Sequence, residues 1–206
     1  DEINHEDHGT IRLGIPVQRA MQVLPLIVPP FKQKYPFVDL DIQEHGSATT
    51  ESLVLEGSID LACLNTYPKH EELEYIFVEP EELVLLTSKN SSIAKNETFI
   101  NIKTGHSVRN TQDRLFVQKD IQPKILFETI SIEVAKRTAI ACDAVMICPE
   151  NYIDMSPELL PHCVTYPIKG IENNRNFYIC HRKDRYLTKY MRDFITMLTE
   201  IEQSFT

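Results

Sequence analysis

No stretch of this chain approaches the roughly 20 consecutive apolar residues that a membrane-spanning helix needs. Positive charge is scarce as well: 21 Lys and Arg stand against 30 Asp and Glu, a net charge of −9. A chain of that sign carries no nucleic-acid footprint of its own and is not drawn to an anionic membrane surface. The five cysteines, Cys63, Cys142, Cys148, Cys163 and Cys180, are odd in number and none forms a C-x-x-C pair. Buried free thiols in a reducing compartment are expected, with a Cys142–Cys148 redox pair as the lesser alternative. Also missing are the G-x-S-x-G, Walker and G-x-G-x-x-G signatures. Nothing sets a nucleophile, base and orienter at a readable spacing, so the chain is not read as an enzyme and no cofactor or metal is expected. His5-Glu6-Asp7-His8 has metal-ligand residue types, but a short polar terminus is expected to be disordered.

What is present is ordinary for a water-soluble fold: 206 residues, 42% apolar and 25% charged. That length buries enough surface to need no staple and suits one large domain or two lobes. Ile11–Ile15 (IRLGI) reads as a strand. Residues 17–34 follow with Val17, Ala20, Met21, Val23, Leu24, Ile27, Val28 and Phe31 at helical spacing. Pro16 fits the first turn, whereas Pro25, Pro29 and Pro30 predict a kink or break near 25–30. Val38, Leu40 and Ile42 alternate with acids, a second strand, and a helix over 49–57 follows with Ser47 or Thr49 as its cap and Gly57 closing it. IDLACLN is a continuous apolar strand of the kind covered on both faces. The first 66 residues therefore read β-α-β-α-β, a parallel sheet.

Two strands are expected within 73–88 and a loop at 89–97. A second α/β set follows: strand 98–102, helix 108–119, strand 124–129, helix 130–140, strand 144–149, then CVTYPI and 176–183, and a terminal helix over 186–203. The acid-rich EEL at 71–73 and EPEEL at 79–83 read as solvated faces. In open α/β sheets ligands lie beyond the carboxyl ends of the strands. Those ends carry Pro16-Val17-Gln18, Gly46-Ser47-Ala48-Thr49, Asn65-Thr66, Gly105-His106-Ser107 and Glu128-Thr129-Ile130. Most open a helix, where free N–H groups and the helix dipole favour an anion.

The ordered set Ile11, Leu13, Gly14, Leu24-Pro25, Phe31, Tyr35-Pro36, Val38, Leu40, Gly46, Leu55, Gly57 and Asp60-Leu61, followed by EELVLLTSKNS, FETIS, VMICPE and the terminal YLTKYMRDFITML, resembles the effector-binding domain of LysR-type transcriptional regulators. The resemblance spans residues 10–200 and is strongest over 10–90. It implies a type 2 periplasmic-binding-protein-like α/β fold of two subdomains with a hinge and an interlobe cleft. Subdomain I would comprise 10–88 plus 184–206 and subdomain II 89–183, with 1–9 the tail of a linker that follows an absent N-terminal winged helix-turn-helix. It further implies a small effector, a carboxylate or amino-acid-like metabolite, held by Pro16, Val17, Gln18, Ser47, Ala48, Thr49, Asn65, Thr66, Gly105, His106, Ser107, Thr129 and Ile130. Ser47 and Gln18 are the foremost candidates; capping is the structural alternative for Ser47 and Thr49. Arg109 and Arg19 could neutralise a carboxylate, though solvent exposure is the commoner fate of an arginine. Also implied are a cytoplasmic homodimer or tetramer and DNA contact only through the absent domain. The chain departs from the family in having Cys142-Asp143-Ala144 where a Gly-x-Gly turn is usual, and in carrying Pro29-Pro30 in a helix that commonly serves the dimer. It also has no cysteine between residues 64 and 141, against peroxide sensing of the family's paired-cysteine type. The alternative is an extracytoplasmic solute-binding protein of a transporter.

Overall fold

The computed structural model describes residues 7–93, 97–173 and 175–205. Its elements in chain order are β1 (His8–Ile15), α1 (Val17–Lys34), β2 (Phe37–Glu44), α2 (Ser47–Leu55), β3 (Leu61–Leu64), β4 (Leu73–Glu81), β5 (Leu83–Ser88), β6 (Thr98–Ile102), α3 (Ser107–Gln118), β7 (Lys124–Thr129), α4 (Ile132–Ala141), β8 (Met146–Pro149), β9 (Cys163–Pro167), β10 (Arg175–Arg182) and α5 (Lys189–Gln203). The chain forms two compact units, Asp1–Glu79 with Asn176–Thr206, and Pro80–Arg175. The boundaries fall at 80 rather than 89 and at 176 rather than 184. The reason is that β5 pairs with β8 and β9 in the second unit, while β10 pairs with β3 in the first. The expected linker tail lies outside the described residues over 1–6, and His8 and Gly9 already belong to β1, opposite Phe37 and Val38.

The first unit is a five-stranded sheet in the order β2-β1-β3-β10-β4. β1 runs parallel to β2 and β3, as the β-α-β-α-β pattern requires, and β10 is antiparallel to β3. Ile11, Leu13 and Ile15 of β1 are fully buried with Ala20, Val23, Ile27 and Phe31 of α1 and Phe194 and Leu198 of α5. Each such side chain contributes about 1.5–3 kcal/mol of apolar burial. Gly14 lets α2 approach β1: a Cβ there would lie 2.5 Å from Thr50 Cγ2 and 2.6 Å from Ile59 Cδ1. Gly57, at φ +78°, ends α2 by donating to Val54 O (3.1 Å) while Ser58 N–H reaches Leu53 O (2.9 Å), the paired bonds of a Schellman turn.

α1 is continuous over 18 residues despite Pro25, Pro29 and Pro30; the expected break does not occur. All three prolines are exposed. The carbonyls they deprive of donors belong to Met21, Pro25 and Leu26, themselves exposed, so the lost bonds fall on the solvent side of the helix.

The second unit holds β8-β5-β9 and β6-β7, with β6 parallel to β7 and bridged to the chain before β8 through Phe99 and Val145. Its own core contains Leu86, Ile100, Ile102, Leu115, Ala135, Ala139, Met146 and Ile147. The turn before β8 is made by Asp143 at φ +51°. A short polar side chain thus takes the left-handed position for which glycine is the usual choice.

Candidate functional site

β1, β2 and β3 are parallel neighbours, so the segments that follow them share one edge of the first sheet. α1 opens at Pro16 and α2 at Gly46, and neither start is capped by its N-cap side chain. Ser47 and Thr49 are therefore helical residues rather than caps, contrary to the structural alternative for both. Ser47 is buried, whereas Ala48 and Thr49 are exposed. The Ser47 hydroxyl accepts from the Asn65 backbone N–H at 3.1 Å, which joins the start of α2 to the end of β3. A hydroxyl that accepts in this way retains its proton to donate. Asn65 Nδ2 donates to Asn176 O at 3.3 Å. Gln18 is buried in the first turn of α1 and Pro16 and Val17 are half-buried.

Thr66, from the same edge, donates to the buried carboxylate of Glu51 at 3.1 Å. Tyr75 donates to that oxygen at 3.1 Å, and Lys69 and His70 stand 2.9 and 3.3 Å from the other. Burial, together with the charge of Glu51, pushes the Tyr75 phenol up to about 12, so it stays a neutral donor. Glu51 was not anticipated as a site residue. A glutamate inside a helix carries no local sign that four partners converge on it.

In the second unit β6 and β7 are paired with Ile102 opposite Thr129. Gly105-His106-Ser107 and Thr129-Ile130 thus follow neighbouring strands. His106 is the N-cap of α3 without a side-chain bond to it, and burial lowers its pKa from the ordinary histidine value, which favours the neutral ring. Ser107 accepts from Arg175 Nη1. Arg175 Nη2 lies 3.1 Å from Glu81, and the Asn151 amide donates to Glu81 at 3.1 Å. Arg175 was missed because its polar approach, IENNR, reads only as a loop. The Thr129 hydroxyl accepts from the Ser131 N–H (3.1 Å), and Ser131 caps α4 through Val134 N (3.2 Å). α4 therefore starts at Ile132, and Ile130 is exposed before it.

Several charged residues depart from expectation. Arg19 is fully buried rather than solvated: its Nη1 lies 2.7 Å from the equally buried Glu202, and the guanidinium stacks 3.6 Å above the Phe177 ring. Arg109 is held by Asp113 and Glu128, both at 2.8 Å, and these partners raise its pKa; its charge is already matched inside the unit. Glu79 and Glu81 are buried instead of lying on a solvated face, because Arg19 and Arg175 face them. All five cysteines are free. Cys142 is exposed at the end of α4 while Cys148 is buried in β8. Burial pushes the Cys148 and Cys180 thiols up to about 12, the inert condition for a cysteine.

Among curated proteins, the chain is 24% identical to the transcriptional dual regulator GltC of Bacillus subtilis, over 98% of this chain and 72% of that protein. It is 25% identical to a probable RuBisCO transcriptional regulator of Synechocystis, over 95% of this chain and 61% of that protein. The uncharacterized HTH-type transcriptional regulator YybE of Bacillus subtilis is 26% identical over 59% of this chain. The chain spans only 45% of YybE. Among solved structures, the regulatory domain of Synechocystis CcmR in complex with 2-PG superposes with a TM-score of 0.78 at 19% identity, covering 94% of this chain and 97% of that one. The effector binding domain of QuiR in complex with shikimate superposes at 0.75 with 18% identity, covering 96% and 98%. These likenesses carry the type 2 periplasmic-binding-protein-like fold. No helix among the described residues is long and apolar enough to cross a membrane. The sequence model of the LysR substrate binding domain matches residues 4–202, and the chain belongs to that family.

Proposed function

We propose that this chain is the effector-sensing part of a LysR-type transcriptional regulator and that its effector is a small anion, a carboxylate or amino-acid-like metabolite. The observation that carries this reading is the edge shared by β1, β2 and β3. Two helix starts without side-chain caps open there, and Ser47 is bonded to Asn65 between them. Helix N-termini supply backbone donors and a positive dipole end, so a carboxylate is the complementary group. Pro16, Val17, Gln18, Ser47, Ala48, Thr49, Asn65 and Thr66 form the proposed set in the first unit. Gly105, His106, Ser107, Thr129 and Ile130 form the corresponding set in the second, where Arg175 adds a cation at Ser107.

That CcmR and QuiR domains hold 2-PG and shikimate supports a small molecule in the same role here. The effector would bind one arrangement of the chain better than another and shift the population by that difference. The readout would be a cytoplasmic DNA-binding domain in a homo-oligomer, as the regulator relatives suggest, with the chain itself performing no catalysis.

The test is a thermal-shift screen of small carboxylates and amino acids, followed by calorimetry on the best binder. A ligand present at about 100 times its Kd adds about 2.7 kcal/mol to the folded state. Ser47→Val and Ser107→Ala should each weaken that binder while leaving the fold intact. Unchanged affinity in both variants would overturn the assignment of these edges.

A further inference from the structure

We propose a second ligand site, wholly inside the second unit and separate from its helix starts, that takes an amphipathic monocarboxylate with an apolar body. A cavity of 540 Å³ is walled by Phe99, Leu115, Val145 and Ile168, with Lys119 and Lys169 at its rim. It lies by the beginning of β6 and the end of α3, whereas Gly105-His106-Ser107 follows the opposite end of β6. The size suits a small organic ligand. All four wall residues are core residues of this unit, at most 7% exposed.

The rim supplies the second half of the argument. Gly170 follows Lys169, and a Cβ on Gly170 would lie 2.9 Å from Lys119 Nζ. The Lys119 ammonium thus lies against the backbone next to Lys169, and both lysines line the cavity. The rim acids Glu97 and Asp120 also line the cavity, yet among the described residues neither lysine is in an ion pair. A carboxylate would be the ion-pair partner of these lysines while its apolar tail enters the cavity. A neutral alcohol of the same length would gain only the tail.

Octanoate and octanol are the probes, titrated into the 206-residue chain and followed by amide chemical shifts. The expected result is saturable shifts at Phe99, Leu115, Val145 and Ile168 for octanoate, with octanol weaker. Lys119→Glu and Lys169→Glu should each weaken octanoate about fivefold, the size of one part-exposed ion pair. Ser47→Val should leave octanoate unchanged, which separates this site from the effector edge. Because the chain has no tryptophan, Ile121→Trp on the half-buried rim provides an independent fluorescence readout. No saturable shift, equal binding of the two probes, or loss of octanoate binding in Ser47→Val would each overturn the proposal.

Discussion

Ser47 illustrates how a residue legible in sequence acquires a different job in three dimensions. Its hydroxyl beside a helix start reads as a cap, but the Gly46 start leaves it in the first turn, where it accepts from Asn65. Ser47→Val keeps the shape and removes the hydroxyl, so the expected cost to effector binding is about tenfold, the worth of one hydrogen bond, measured by calorimetry. Asp60 belongs to the ordered set behind the family resemblance, and the structure gives it a stabilising part. Its carboxylate accepts from the Arg12 backbone N–H at 2.9 Å and lies 2.6 Å from Arg185. His106 offers a pH test. Burial lowers its folded pKa below the ordinary 6.5, so between the two values the unfolded chain binds more protons. Its contribution to stability is therefore present above 6.5 and lost as pH falls through the folded value. NMR titration of the His106 ring should give a midpoint below 6.5; a midpoint at or above 6.5 would contradict the burial.

At the scale of elements, period and punctuation carried most of the outline. β6 and β7 match their expected bounds of 98–102 and 124–129, because apolar runs flanked by polar turns are local signals. The partners of buried charges were not local. Arg19 lies on the same inward stripe as Val23, Ile27 and Phe31, so the stripe itself placed a cation in the core. Its partner Glu202 comes from α5, far along the chain, and no spacing rule reaches it. Arg19→Met takes the cation from two buried carboxylates, Glu79 and Glu202, and should cost about 3–5 kcal/mol in urea unfolding, whereas Glu202→Gln leaves Glu79 facing Arg19 and should cost less. The combined Arg19→Met, Glu202→Leu variant should recover only part of the loss, because Glu79 has still lost Arg19. The prolines of α1 also misled: all three lie on its exposed side, and packing of the buried stripe Val23, Ile27 and Phe31 outweighs the local penalty. Pro29→Ala should therefore raise stability by at most about 3 kcal/mol, the isolated-helix difference. A fall in the urea midpoint would mean that the proline stiffens the unfolded chain by more than it costs the helix.

At the scale of the molecule, the division into units was legible but its borders were not. β4 and β10 carry the chain across the borders within continuous strands, so no polar loop marks them. Self-association follows from surfaces rather than from pattern. Met21 and Leu26 on α1 are 55% and 47% exposed, and Leu126 and Phe127 on β7 are 41% and 36% exposed. β7 has β6 as its neighbour in a two-stranded sheet, which leaves an apolar edge open to pairing. Each pair is a short exposed apolar patch on its own unit, the kind of surface an association would bury. For the homodimer proposed for this chain, α1 and β7 are the two surfaces to test, each by itself. Sedimentation velocity at micromolar concentration should show a dimer, and Leu26→Glu or Phe127→Glu should convert it to a monomer with an unchanged far-UV spectrum. The exposed prolines decide between two versions of that interface. If α1 packs directly on its partner, Pro29→Ala, although it leaves the helix intact, should change the dimer's dissociation constant. If only β7 mediates association, the proline change leaves that constant untouched while Phe127→Glu abolishes the dimer.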